Sequence, residues 1–248
     1  MEKYLLECCV DSVESAISAQ AGGADRLELC SNLIIGGTTP TLALFEEVKR
    51  NCSLPVHILI RPRFGDFLYS DYEANVIAEE IRAFRDAGAD GVVIGSLNSN
   101  GSLNTEQMRR FISCAGEMSV TLHRAFDMCK DPFLCLEQAI DLGVNTILTS
   151  GQAPDCLSGM DMLQKLVSAA DGKIQILAGS GINASAVKSL LENTTLTQFH
   201  MSGKMVMESS MAYRNSEVFM GLPGFSEYEI WRTDAHEVRK VRNVLDLM

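Results

Sequence analysis

Two kinds of hydrophobic pattern alternate along this chain. Short β-rich runs fall at 4–9, 26–30, 56–61, 91–94, 119–123, 146–149, 173–178 and 197–200. Between them, helical patterns cover 12–22, 41–51, 71–87, 104–115, 131–142, 157–171 and 183–192, with a last one at 235–247. Several open on a residue able to cap free amides: Asp11 or Ser12, Asp71, Asn104, Asp131 and Asn183. Pro132 suits a first helical turn. Glycine punctuates the return to strand in Gly22-Gly23-Ala24-Asp25, Gly88-Ala89-Asp90-Gly91 and Leu142-Gly143-Val144. Eight strand–helix units predict a closed (β/α)8 TIM barrel, one domain over 1–248. An open doubly wound sheet is the rival architecture.

One segment breaks the rhythm. After the eighth strand the expected short loop is replaced by 203–234, which carries Met205, Met207, Met211, Tyr213, Phe219, Met220, Phe225, Tyr228 and Trp231. A loop of this length is usually functional or an interface. It reads as an extended loop, either a lid over the barrel or, the favoured reading, a homodimer contact.

Composition narrows the partners. The chain has 248 residues, 46% hydrophobic and 21% charged, enough to bury a large core. A net charge of -11 argues against nucleic acid, which needs a basic face. It leaves room for an anionic small molecule held by a few local arginines. No apolar run is long enough to span a membrane. The stretch Met1-Glu2-Lys3-Tyr4-Leu5-Leu6-Glu7 does not read as a signal peptide, so a cytoplasmic location is expected. The eight cysteines do not suggest a disulfide framework and read mostly as free, buried thiols.

Polar residues gather at the predicted C-terminal strand ends, the active face of a barrel. The densest group is Thr121-Leu122-His123-Arg124-Ala125-Phe126-Asp127. Glu7 and Glu28 come from the first two strands, and Arg61, Arg63 and Asp66 from the third. Thr149, Ser150 and Gly151 follow the sixth, Gly179, Ser180 and Gly181 the seventh, and His200 and Ser202 end the eighth. Strand alternation puts Glu7 on the face of Leu5 and Cys9, Glu28 on that of Cys30, and His123 on that of Thr121. If those faces point inward, carboxylates, an arginine and two imidazoles converge at the barrel mouth.

Glu7, Glu28, His123, Asp127 and His200 are the candidates for acid–base chemistry. Arg61, Arg63, Asp66, Arg124, Ser150, Gly151 and Ser202 are candidates for ligand binding, with Arg61 and Arg124 able to clamp a carboxylate or phosphate. Gly179, Ser180 and Gly181, just before Asn183, predict an amide cradle for an anion. An internal salt network that merely closes the core is the competing reading. His57, in mid-strand, reads as a core residue or one supporting the site from behind. Lys204 is the lone lysine near a strand end, which disfavours Schiff-base chemistry.

For metals there is neither CxxC nor HExxH. Cys8 and Cys9 are adjacent and point apart in a strand, but Cys9 and Cys30 end neighbouring strands with matching parity. Cu(I) accepts two thiolates, and Cys52, at a helix end, is a further candidate ligand. Buried apolar cysteine explains the same residues.

Several long motifs occur in order: Glu7-Cys8-Cys9-Val10-Asp11-Ser12, Gly23-Ala24-Asp25-Arg26-Leu27-Glu28-Leu29-Cys30, Gly36-Gly37-Thr38-Thr39-Pro40, Ile60-Arg61-Pro62-Arg63-Phe64-Gly65-Asp66-Phe67, Tyr69-Ser70-Asp71, His123-Arg124-Ala125-Phe126-Asp127 and Leu148-Thr149-Ser150-Gly151. With them the chain resembles the copper homeostasis protein CutC family over nearly its whole length. The resemblance implies a cytosolic TIM barrel, often dimeric, with a role in copper handling and Cu(I) binding through cysteines. Cys30 and Cys52 resemble the cysteines proposed for that binding. Phe64 and Ser180 stand where the family more often has glycine, and Phe64 is expected to narrow the pocket. Two functions stay open: copper binding or copper tolerance, and an enzyme acting on a phosphorylated or carboxylated metabolite.

Overall fold

The structure, a computed structural model, describes residues 4–215, 217–221 and 224–247. Residues 1–3 of the N-terminal stretch and 216, 222 and 223 of the 203–234 segment lie outside the described residues. Eight parallel strands close into a barrel in chain order. They are β1 (Leu5–Val10), β2 (Arg26–Leu29), β3 (Val56–Leu59), β4 (Gly91–Ile94), β5 (Ser119–Leu122), β6 (Thr146–Thr149), β7 (Gln175–Ala178) and β8 (Gln198–Met201), which pairs back onto β1. The surrounding helices are α1 (Val13–Gly22), α2 (Leu42–Asn51), α3 (Asp71–Asp86), α4 (Thr105–Ala115), α5 (Pro132–Asp141), α6 (Met160–Ala170), α7 (Ala184–Asn193) and α8 (Ala235–Leu247). The open-sheet alternative is excluded by the β8–β1 pairing.

Local chemistry fixes the element ends. Ser12, not Asp11, caps α1. Ser70 rather than Asp71 caps α3, because its hydroxyl and the Glu73 carboxylate bind each other's backbone amides in a capping box. The Gly-Ala-Asp turns also hold strands: Asp25 accepts from the Leu6 amide, and Asp90 from that of Val56, both at 2.8 Å. Asn145 does the same for Val120 at 2.8 Å. Helix α6 starts later than expected, since residues 151–159 turn back on themselves before Gly159.

The strands are two-faced in an unusual sense. Outward residues such as Leu6, Val10, Leu27, Leu29, Ile58 and Ile94 pack under the helices into one apolar core. Inward positions carry Glu7, Glu28, His57, Thr121 and His123, all buried. The separate apolar cluster of Cys30, Leu59 and Val93 is small. Barrel interiors are more commonly filled by branched aliphatics. Here glycines make room for rings: a Cβ on Gly91 would lie 2.6 Å from the His57 imidazole, and one on Gly95 2.6 Å from that of His123.

The 203–234 segment is not simply a loop. It is an antiparallel ribbon, β9 (Lys204–Glu208) against β10 (Glu229–Thr233). Its foot is tied to the barrel by bonds from Thr233 N to Ser15 Oγ and from Asp234 N to Gly203 O. Its apolar residues, among them Met205, Met207, Tyr213, Phe219 and Met220, are exposed. Among the described residues no helix is long and apolar enough to cross a membrane.

Replacing Gly91 by Ala is expected to destabilise the fold by about 1–3 kcal/mol through overpacking. Urea unfolding measures this, and a paired His57→Ala change should recover part of the loss.

Candidate functional site

Register builds the site from the barrel seam. Glu7 on β1 pairs with Arg26 on β2 and with His200 on β8, while Cys9 pairs with Glu28. Arg26 Nε donates to Glu7 Oε2 at 2.5 Å, and His200 Nδ1 to Glu7 Oε1 at 2.7 Å. The other ring nitrogen of His200 stands 3.7 Å from Glu28 Oε2. Donor atoms of Cys9, Glu28 and His200 all lie within 4.8 Å of one another.

Charge follows from this geometry. Burial would raise the Glu7 carboxyl, but Arg26 and His200 outweigh it and hold the group well below the usual carboxylate range. Burial also opposes a charged His200, yet Cys9, Glu28 and the bond to Glu7 keep its pKa well above that of a free imidazole. Glu28 goes the other way: burial, with Glu7 nearby, pushes it up to about 7 against the pull of His200. His57 falls to about 4 and His123 to about 3, each mainly through burial.

Above this cluster opens a cavity of about 510 Å³. Of the expected site residues, Cys9, Glu28, Arg61, His123, Arg124, Ser180, Gly181, His200 and Ser202 line it. Glu7 sits behind His200 and does not. The anion cradle moves by one residue: the Gly179 amide is spent on Thr149 O at 2.9 Å. Among the described residues, the amides of Ser180, Gly181 and Ile182 have no acceptor, and they precede α7, where Asn183 caps.

Other expected site residues are taken up by loop structure. Asp127 accepts from Arg124 Nε at 2.7 Å, Thr149 Oγ1 at 2.5 Å, and the Ser150 and Gln152 amides at 3.1 Å. That knot ties the β5–α5 and β6–α6 loops together, and it uses Ser150 and, through Thr149, the Gly151 amide. Arg63 binds Glu73 at 2.5 Å and Asp66 at 3.0 Å, bracing its own loop outside the cavity. Phe64 is 66% exposed and does not line the cavity, so the expected narrowing is absent.

The cysteines separate. Cys9 joins Glu28 and His200, but Cys30 packs with Leu59 and Val93. Cys52 closes α2 ahead of β3, at the opposite end of the barrel, where its thiol donates to Gln20 Oε1 at 3.1 Å. It cannot share an ion with Cys9. Lys204 and Glu237 at the mouth and Phe67, Leu148 and Ile182 in the walls were not among the expected site residues. Lys204 rests over the Trp231 ring at 4.4 Å, a position only the ribbon register reveals.

A closed (β/α)8 barrel with a polar, partly cationic pocket at the C-terminal ends of its strands is the class of protein that fold and site define. The sequence pattern of the CutC family matches residues 4–205, and the chain belongs to that family. It is 42% identical to the human copper homeostasis protein cutC homolog, over 97% of this chain and 89% of that protein. The Pasteurella multocida family protein CutC is 41% identical, over 97% of this chain and 98% of its own. A crystal structure of CutC from Streptococcus agalactiae superposes with a TM-score of 0.77 at 28% identity, covering 80% of this chain and 98% of that one.

Two outcomes test the electrostatics. Arg26→Met should cost about 3–5 kcal/mol in chemical denaturation by stranding a buried carboxylate, with Glu7→Gln recovering part. Glu28 holds a proton in the fold that the unfolded chain releases from 4.5 upward, so its contribution to stability declines as pH rises from 4.5 to about 7. Glu28→Gln should flatten that decline in urea melts at pH 5 and pH 8.

Proposed function

We propose that the barrel mouth binds a small organic anion and exchanges a proton with it through Glu28. The observation that carries this reading is a carboxyl of pKa about 7 facing a cavity lined by Arg61, Arg124, His200 and Lys204. A group titrating near neutrality both gives and takes protons efficiently. Cys9, Glu28 and the bond to Glu7 favour a charged His200, so the imidazolium stabilises negative charge that develops on the ligand. The amides of Ser180, Gly181 and Ile182 suit a phosphate or carboxylate at the start of α7. Ser202 and Arg124 add donors, and Asp127, Ser150, Gly151, Arg63 and Asp66 act by holding the loops.

A second reading has its own support. The relatives named for copper homeostasis point to copper, here as cargo. Cys9 and His200 are donors that Cu(I) accepts, and Glu7 on Nδ1 leaves Nε2 as the ligating atom. Glu28 is a hard third donor, more natural to a divalent ion. A site built on Cys30 and Cys52 is not supported, given their separation along the barrel. The exposed apolar residues of the ribbon favour a homodimer contact.

Titration calorimetry with inorganic phosphate should show binding that Lys204→Ala weakens; no detectable binding would sink the anion reading. In an anaerobic Cu(I) titration against a chelator, Cys9→Ser and His200→Gln should each weaken binding while Cys52→Ser leaves it unchanged. Equal loss in all three, or in none, would remove the copper site described here.

A further inference from the structure

Arg61 is a buried cation without an acid. Its guanidinium is pinned by backbone carbonyls: Nη1 donates to Gly36 O at 3.3 Å and Gly37 O at 3.2 Å, and Nη2 to Gly65 O at 2.7 Å. Nε is buried and has no partner. Among the described residues no carboxylate forms an ion pair with it, although the side chain is 8% exposed and lines the cavity. Buried charges are ordinarily paired.

His123 offers a second unmet donor. The Ala125 amide donates to Nδ1 at 3.1 Å, so Nδ1 carries the lone pair and the ring proton of the neutral imidazole is on Nε2. That Nε2 is buried and has no partner. Burial and the Arg61 charge keep the ring neutral, and Gly95 leaves no room for it to be displaced toward β4. Phe67 lies against both groups, 4.8 Å from the His123 ring centroid and 5.0 Å from Arg61 Cζ.

Other buried polar atoms lack partners too: Arg26 Nη2, His57 Nδ1, Tyr69 Oη, Thr121 Oγ1 and Gln198 Oε1. Those are a mixture of donors and acceptors, which internal water can bridge. Arg61 Nε and His123 Nε2 are both donors, in the wall of one cavity, and an acceptor satisfies both. We infer that Arg61 and His123 form a carboxylate subsite, covered by Phe67 until a ligand displaces that ring. The inference rests on the anion-binding reading above and deepens it. Strand β5 stands two strands from β7, whose following loop carries the free amides, and three from β2, which carries Glu28. The ligand class is therefore a short acid with a carboxylate at one end and a phosphate at the other. His123 is on this account a neutral hydrogen-bond donor, not a base.

The probe is 2-phosphoglycolate, with inorganic phosphate and glycolate as single-ended controls, in titration calorimetry. Wild type should bind the two-ended probe at least about tenfold more tightly than phosphate. His123→Leu should remove about tenfold of that advantage and leave phosphate affinity unchanged, and His123→Gln, which restores a donor, should recover part of it. In 15N-resolved spectra of the histidine rings, His123 should show the Nε2–H form, with its proton shifting when 2-phosphoglycolate, but not phosphate, is added. Phe67→Ala should tighten the two-ended probe. Phosphate binding with no advantage for 2-phosphoglycolate, or an Nδ1–H ring, would overturn the subsite and leave the anion reading standing. Failure of both probes to bind would overturn both.

Discussion

The contact on which the rest depends is the one Glu7 makes with its two neighbours. Arg26 and His200 sit beside it because strand register puts them there, and the β8 side of that register is also what closes the barrel. One carboxylate therefore joins three strands at the seam. A buried ion pair is costly to form and more costly to break, so it specifies geometry more than it adds stability. Arg26 holds Glu7 ionised, Glu7 orients His200, whose charge Cys9, Glu28 and that bond together favour, and burial beside Glu7 leaves Glu28 holding its proton to near neutrality.

Placing charge inside the barrel moves the task of cohesion outward. The apolar core lies between strands and helices, and the interior relies on hydrogen bonds and on space left by glycine. Gly91 and Gly95 admit the rings of His57 and His123 without any unusual backbone angle. The loops are braced in the same way. The Asp127 knot and the Arg63–Glu73 pair use residues that look like site chemistry to fix the rim on which Arg124 and Arg61 stand. Rigid rims of this kind position donors more accurately than free loops do.

Strand and helix alternation made the barrel legible in the sequence, because a βα repeat leaves the same hydrophobic signature each time. Parity along β1, β2 and β5 likewise identified Glu7, Glu28 and His123 as inward residues. What pattern could not supply was which neighbour each polar group would choose. Asp127 has the residue type of a proton carrier, yet three backbone or hydroxyl donors from the next loop converge on it. Matching parity suggested Cys30 as the partner of Cys9, but the donors gathered with Cys9 are Glu28 and His200. The space that His123 occupies also had a signal, since Gly95, just past β4, leaves room for its ring. Lys204 depended on the ribbon, whose pairing across a long exposed tip has no short-range hairpin signature.

The two functions proposed for the mouth are not independent, because both require His200 Nε2. As an imidazolium that nitrogen carries a proton and faces Glu28; as a metal ligand it must give the proton up. Glu7 serves either state, since its bond to Nδ1 orients the charged ring and the ligating ring alike. A cation at Cys9 and His200 would also lower the proton affinity of Glu28, removing the group that titrates near neutrality. Metal and proton chemistry therefore exclude each other at this site. On the proposed readings, a copper ion held there would block the anion chemistry, because it would take the Nε2 that the charged ring presents to the ligand.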